Sequence, residues 1–230
     1  MKKIFIACDT NKVKTIKKVI KETQNKKFKI FYKVGMEFFY SKDGRNFIKK
    51  INKNIKIWLD LKLKDIPNTV SSSILSLKDL RNVKYLTVHC SGGYEMLKIA
   101  KKTVGKINKS MKLIGVTVLT SFEEKSFKKI GYDKSIKQIV IKQAKLARDA
   151  GLDGIVCSGQ EIKFIKHICK KMEIFVPGIR FKKNSNQDQK RTISPSQAFK
   201  FGATGIVIGR NITKGNIRKN TKELINSLSS

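Results

Sequence analysis

Asp60, Lys62 and Asp65 form a D-x-K-x-x-D group inside Ile57-Trp-Leu-Asp-Leu-Lys-Leu-Lys-Asp-Ile-Pro-Asn-Thr-Val70. Side chains alternate across a strand, so Asp60 and Lys62 share one side while Leu59, Leu61 and Leu63 take the other. If the leucines pack against helices, an acid–base pair faces an enclosed space. Charge buried there is costly unless it is paired. Flanking carboxylates would favour the charged form of such an ammonium. The same residues would also fit a solvated charge cluster, the ordinary fate of charge in a lysine-rich chain. Carboxylates are scarce here, however: Asp60 and Asp65 are two of only 17 acidic residues, and they fall within six positions.

The elements that must carry this group are legible as short apolar, β-rich runs separated by helical patterns. Strands are expected at Ile4–Asp9, Lys29–Gly35, Ile55–Leu61, Tyr85–Cys90, Leu113–Leu119, Gly154–Cys157, Ile174–Pro177 and Gly205–Gly209. Most are continuous apolar runs, as expected for strands buried on both faces. Between them lie 3.6-residue patterns such as Val13, Ile16, Ile20 and Ile136, Ile139, Val140, Ala144, Ala147. Asp133 and Ser135 supply helix-start residues and Gly151 a stop. Eight strand–helix units predict a single-domain α/β fold over residues 1–230, a (β/α)8 TIM barrel; a doubly wound sheet is the rival. Polar residues gather at the C-terminal strand ends, among them Asp9, Lys33, His89, Thr120, Ser158, Arg180 and Arg210. Barrel active sites are built at that face.

Composition narrows the function classes. At 230 residues and 40% hydrophobic content the chain can bury a sizeable core. No run of 18 apolar residues suggests a membrane span. The opening Met-Lys-Lys-Ile-Phe-Ile-Ala-Cys-Asp reads as a first strand rather than a leader. Cys8, Cys90, Cys157 and Cys169 show no C-x-x-C pairing, so a reduced cytoplasmic protein without disulfides is expected. Net charge is +34, from 51 basic and 17 acidic side chains. The basic residues are spread along the chain without an arginine-rich stripe, so the field favours anionic ligands without marking a nucleic-acid binder. With only His89 and His167, neither a histidine triad nor a metal cluster is supported, and His89 reads as structural.

Longer segments resemble a known family, orotidine 5′-phosphate decarboxylase, essentially end to end. They include Ala7-Cys-Asp9, Tyr32-Lys-Val-Gly-Met-Glu-Phe-Phe39, Leu59-Asp-Leu-Lys-Leu-Lys-Asp-Ile-Pro-Asn-Thr69, Thr87-Val-His-Cys-Ser-Gly-Gly93 and Val118-Leu-Thr-Ser121. The likeness continues through Val176-Pro-Gly-Ile-Arg180, Asp188-Gln-Lys-Arg191 and Ile206-Val-Ile-Gly-Arg210. The D-x-K-x-x-D core alone is shared with a wider group that includes keto-gulonate-phosphate decarboxylase and hexulose-phosphate synthase. The Ile-Pro-Asn-Thr continuation, Lys33 and the P-G-I-R…D-Q-K-R block resemble the orotidylate enzyme specifically.

The resemblance implies decarboxylation of orotidine 5′-phosphate to uridine 5′-phosphate without metal or organic cofactor. Lys62 matches the family's proton donor, within an alternating array of Lys33, Asp60, Lys62 and Asp65. Asp9, Lys33 and Thr69 match positions at the ribose, Asp60 lies by the substrate carboxylate, and Thr120 with Ser121 meets the pyrimidine. Gly209, Arg210 and Gln189 match the phosphate grip, with Arg180 opening the polar segment to Arg191 that would close as a lid. Asp65 and Ile66 would enter the site of a second subunit, which implies a homodimer with shared sites. Two rivals remain: a metal-dependent sugar-phosphate decarboxylase or aldolase of the wider group, and a basic nucleic-acid-binding protein. No membrane and no specific nucleic-acid partner is expected.

Overall fold

The computed structural model describes residues 2–25, 27–180 and 193–229. Eight parallel strands close in sequential order: β1 Lys3–Ala7, β2 Lys29–Gly35, β3 Ile57–Leu63, β4 Val83–His89, β5 Lys112–Val116, β6 Gly154–Val156, β7 Glu173–Val176 and β8 Gly205–Ile208, with β8 paired back onto β1. The longer helices between strands are α1 Val13–Thr23, α4 Pro67–Leu75, α5 Tyr94–Ile107, α7 Ile136–Asp149, and α11 Ile217–Ser229 after β8. Shorter helices are α2 Met36–Phe39, α3 Gly44–Lys50, α6 Glu124–Lys129, α8 Ile162–Ile168, α9 Pro195–Lys200 and α10 Arg210–Thr213. The predicted (β/α)8 barrel is therefore observed. No helix among the described residues is long and apolar enough to cross a membrane.

Alternation along each strand builds two cores. Ile4 and Ile6 of β1 face the helices, whereas Phe5 and Ala7 face the axis. The inner set also contains Phe31, Trp58, Tyr85, Ile114, Phe175 and Val207. Phe5 sits at its centre, its ring 4.7 Å from both Phe31 and Trp58, 5.1 Å from Tyr85 and 5.2 Å from Phe175. Most of these pairs are edge-to-face, the arrangement that ring quadrupoles favour. Five large rings fit in one cross-section because neighbouring positions carry no side chain. A Cβ at Gly154 would meet Phe175 Cε2 at 2.8 Å and the Glu173 carbonyl oxygen at 2.9 Å. One at Gly205 would meet Phe5 Cε2 at 2.8 Å.

Strand boundaries differ from expectation by a few residues, each for a local reason. β3 starts at Ile57 rather than Ile55, because the Ile55 N–H is taken by the Asn52 carbonyl in a turn. It runs on through Leu63, carrying Lys62 within the strand. β5 stops at Val116 rather than Leu119, since its neighbour β6 ends at Val156, whose carbonyl accepts the Thr117 hydroxyl at 2.9 Å and its N–H only at 3.4 Å. β4 begins two residues early, at Val83, where it pairs with Ile57. Ser135 caps α7 as expected, accepting from the Gln138 N–H, whereas Asp133 lies outside the cap. Gly151, at φ 77°, follows the helix end in the conformation glycine tolerates best.

These glycine contacts set a contrast. Gly154→Ala should destabilise the fold by about 1–3 kcal/mol through overpacking. Gly105→Ala, within α5 where an added Cβ meets nothing within 4 Å, should be neutral or raise stability by up to about 1 kcal/mol. Urea denaturation of both variants checks the pair; equal effects would refute the packing argument.

Candidate active site

The C-terminal mouth of the barrel encloses a cavity of about 260 Å³. Lys33 of β2 and Asp60 and Lys62 of β3 form one wall, with Asp9 just beyond β1. Gly209 and Arg210 after β8 and Arg180 after β7 face it from the other side of the ring, and Thr120 enters from the loop after β5. Trp58, from the aromatic layer, makes the floor. Four cations and two carboxylates therefore line the space, which favours an anionic occupant.

Asp60 organises the wall. It is buried, 7% exposed, and its Oδ2 lies 2.8 Å from Lys62 Nζ and 3.2 Å from Lys33 Nζ. Its Oδ1 accepts the Thr87 hydroxyl at 2.9 Å. Burial alone would push this carboxyl up; Lys33, Lys62 and the two hydrogen bonds more than reverse that and hold it below the ordinary carboxylate range. Lys33 shows the mirror case. Burial favours its neutral amine, but Asp60 and Asp9 hold its ammonium above the usual lysine range. Lys33 Nζ also lies 3.2 Å from Asp9 Oδ1. The result is a charge chain running Asp9–Lys33–Asp60–Lys62.

The backbone at Lys62 is unusual. Its φ of 49° is the one positive value among described non-glycine residues, in a region that costs ordinary side chains energy. The β3–β4 ladder explains how this is tolerated. Leu59 pairs with Leu86 and Leu63 with Val88, so three β3 residues stand opposite Thr87 alone. In this bulge the freed Lys62 N–H donates to Thr87 Oγ1 at 2.9 Å. Thr87 is fully buried and thus ties the strained backbone of the lysine to the carboxylate that its ammonium contacts.

Of the residues singled out from the sequence, Asp9, Lys33, Asp60, Lys62, Thr120, Arg180, Gly209 and Arg210 line this one cavity. Asp65 is placed differently within this chain: it is exposed, and its Oδ1 accepts the Ile66 N–H instead of facing Lys62. Within one chain the array ends instead on Asp9, through its pair with Lys33. Ile66 and Thr69 are also exposed and do not line the cavity. Gln189 and the proposed lid lie outside the described residues. A side chain at 209 would approach Ala7 Cβ to 3.4 Å and Asp9 Oδ2 to 3.6 Å, so its absence keeps that edge open.

Thr87 is the residue that sequence reasoning passed over. It lay within a quoted segment, and its signal was a hydroxyl on the same strand face as Tyr85 in an otherwise apolar run. Thiol chemistry is disfavoured here, since burial pushes Cys8 up to about 12 and Cys157 well above its usual value. Burial, Lys62 and Lys64 pull His89 down, so its imidazole is neutral at pH 7. Among the described residues, no group of three His, Cys, Asp or Glu side chains could hold a metal ion.

A closed (β/α)8 barrel with charged side chains gathered at its C-terminal mouth is the architecture of a barrel enzyme. The family model for the orotidine 5′-phosphate decarboxylase / HUMPS family matches residues 2–223. The chain is 43% identical over 216 residues to orotidine 5′-phosphate decarboxylase of Buchnera aphidicola subsp. Acyrthosiphon pisum (strain Tuc7), covering 93% of this chain and 89% of that one. It is 44% identical over 195 residues to the enzyme of Wolbachia pipientis subsp. Culex pipiens (strain wPip), covering 84% of each. Among solved structures, orotidine 5′-phosphate decarboxylase from Lactobacillus acidophilus superposes with a TM-score of 0.85 at 30% identity, covering 99% of both chains. This chain belongs to the orotidine 5′-phosphate decarboxylase / HUMPS family.

Two substitutions isolate the positioning of the lysine. Thr87→Val should lower kcat at least about tenfold with a smaller change in KM, since a buried unsatisfied partner costs about 1–3 kcal/mol. Thr87→Ser, which keeps the hydroxyl, should restore most of kcat. Steady-state kinetics with this family's reaction reads both; equal kcat in the two variants would assign Thr87 a packing role only.

Proposed function

We propose that the protein decarboxylates orotidine 5′-phosphate to uridine 5′-phosphate and CO2, the last step in making that nucleotide de novo. The observation that carries the reading is the Lys33–Asp60–Lys62 chain on one wall of a cavity whose other wall holds Arg180 and Arg210. A substrate with a phosphate at one end and a carboxylate on the ring at the other matches that division of charge. The curated relatives named above carry this activity in their names, which favours it over sugar-phosphate chemistry and over nucleic-acid binding.

In this reading the Gly209–Arg210 backbone and the forked Arg210 guanidinium grip the phosphate. Binding energy gained there orients a ring far from the grip. The C6–carboxyl bond breaks, CO2 departs, and the electron pair stays on C6. Lys62 Nζ gives up a proton to that carbon, forming the new C–H bond, and regains one from solvent afterwards. The fixed ammonium is the main stabiliser, because it is already oriented when charge develops and no solvent needs to reorganise. Asp60 holds the ammonium in place, and Lys33 keeps Asp60 ionised. Ground-state repulsion by Asp60 is not needed for this account.

Purified protein assayed in EDTA for absorbance loss of orotidylate should turn over as it does without chelator. Lys62→Ala should lose turnover by several orders of magnitude while binding uridine 5′-phosphate within about tenfold of wild type. Turnover by Lys62→Ala within tenfold of wild type would defeat the donor role, and loss of activity in EDTA would favour the metal-dependent rival.

We further propose a homodimer with shared sites, in a cytoplasmic setting that suits four free buried cysteines. Met36, Ile66 and Tyr94 follow the C-terminal ends of three adjacent strands, β2, β3 and β4, and all are exposed apolar side chains. Ile66 is 66% exposed beside an Asp65 that has no place in its own cavity. A surface of this kind marks an interaction site. If Asp65 serves a neighbour's site, mixing inactive Lys62→Ala with inactive Asp65→Ala chains should regain up to about one quarter of wild-type activity by random pairing. No recovery after confirmed subunit exchange would place Asp65 outside the shared site.

A further inference from the structure

The opposite, N-terminal mouth of the barrel holds a second basic chamber. Side chains two positions apart on a regular strand share a face, and four of the residues two before inner core side chains are lysines: Lys3 before Phe5, Lys29 before Phe31, Lys56 before Trp58 and Lys112 before Ile114. Lys84 joins them at an irregularity, where Ile57 pairs with Val83 but Trp58 pairs with Tyr85. Lys29, Lys56, Lys84 and Lys112 line a cavity of about 340 Å³, with Phe31 and Tyr85 of the aromatic layer at its base and Ser110 at its edge.

Only one carboxylate ion-pairs with any of these five lysines among the described residues. Glu173 at the start of β7 lies 2.7 Å from Lys3 Nζ and also binds Lys112. Its second oxygen accepts the Tyr85 hydroxyl at 3.4 Å. Burial would raise this carboxyl, but Lys112 and Lys3 hold it below its usual range, so its charge is already committed. Lys84 donates to Ser110 Oγ at 2.7 Å and Lys56 to the Lys53 carbonyl at 3.4 Å, both neutral acceptors. Burial and the charge of Lys56 pull the Lys84 amine below the usual lysine range. Four ammonium groups line the concavity, and among the described residues only that of Lys112 meets a carboxylate, which leaves three facing none.

Lysines incorporated by coding bias alone belong on solvated outer faces, where repulsion is screened. Here four of them are gathered around one concavity at a barrel mouth, at a cost in mutual repulsion, seen at Lys84 beside Lys56, that a bound anion would remove. We infer that the N-terminal mouth binds a compact polyphosphate anion of the triphosphate class, at a site separated from the C-terminal cavity by the aromatic layer. A concavity of this size floored by Phe31 and Tyr85 fits a compact anion, whereas a nucleic-acid strand would need a longer groove. The triphosphate could be inorganic or part of a nucleotide.

The test titrates tripolyphosphate, and in a second arm uridine 5′-triphosphate, into the full chain by calorimetry. Ionic strength is fixed, and saturating uridine 5′-phosphate occupies the C-terminal cavity. Wild type should show saturable binding at one site per chain. Lys29→Ala/Lys56→Ala should weaken it by at least about tenfold, with decarboxylation and melting temperature retained. Lys134→Ala/Lys142→Ala, which removes a mutually repelling exposed pair away from this mouth, should leave it unchanged. Equal affinity for the two ligands would assign recognition to the triphosphate alone, and tighter nucleotide binding would assign it to a nucleotide; both support the site. Absence of saturable binding, unchanged affinity in Lys29→Ala/Lys56→Ala, or equal weakening in the two double variants would overturn it.

Discussion

Everything chemical in the C-terminal mouth depends on one buried carboxylate being worth ionising. Asp60 has lost nearly all contact with water, and desolvation is the largest influence on it. Two ammonium groups and a hydroxyl supply what water no longer does. Removing any one leaves the others poorly compensated, because a buried charge without its partner costs more than the pair gains. The four groups are therefore a unit. They arrive from three adjacent strands, β2, β3 and β4, whose register is set elsewhere by the packing of large side chains. The closed sheet thus fixes the separation of charges that would otherwise repel, attract and rearrange.

That packing explains why the fold was readable. Eight apolar runs of β-branched and large residues, spaced by amphipathic helices, leave few ways to bury both faces of every strand. Phe5, Phe31, Trp58 and Phe175 alternate with Ile4, Ile30, Leu59 and Ile174 in the way two nested cores require. Boundaries were less legible. Hydrophobicity marks Ile55 and Leu119 as strand residues, but whether a residue joins a sheet depends on where its neighbour's hydrogen bonds run out. That information lies on another strand.

The site was legible where charge stood out against an apolar background. Asp60 and Lys62 within a leucine-rich run, and Arg210 directly after Ile206-Val-Ile208, could be found by type and position. Asp65 drew attention for the same reason, yet three residues beyond Lys62 the chain has left the strand, and its side chain turns outward. Thr87 was invisible because threonine is an ordinary strand former; only the bulge opposite it, a matter of pairing, gives its hydroxyl two partners. The lysines gathered at the other mouth were hidden in a similar way, as members of an evenly spread population in which only the fold brings Lys29, Lys56, Lys84 and Lys112 together.

The left-handed turn at Lys62 sets thermal endurance against turnover. Glycine would accept that backbone angle without complaint, whereas lysine is kept there by a single hydroxyl on the next strand and by the attraction of its own head group. A lineage drifting under selection for heat resistance alone would tend to lose the lysine first. Lysine at that angle serves what the side chain does rather than what the backbone prefers.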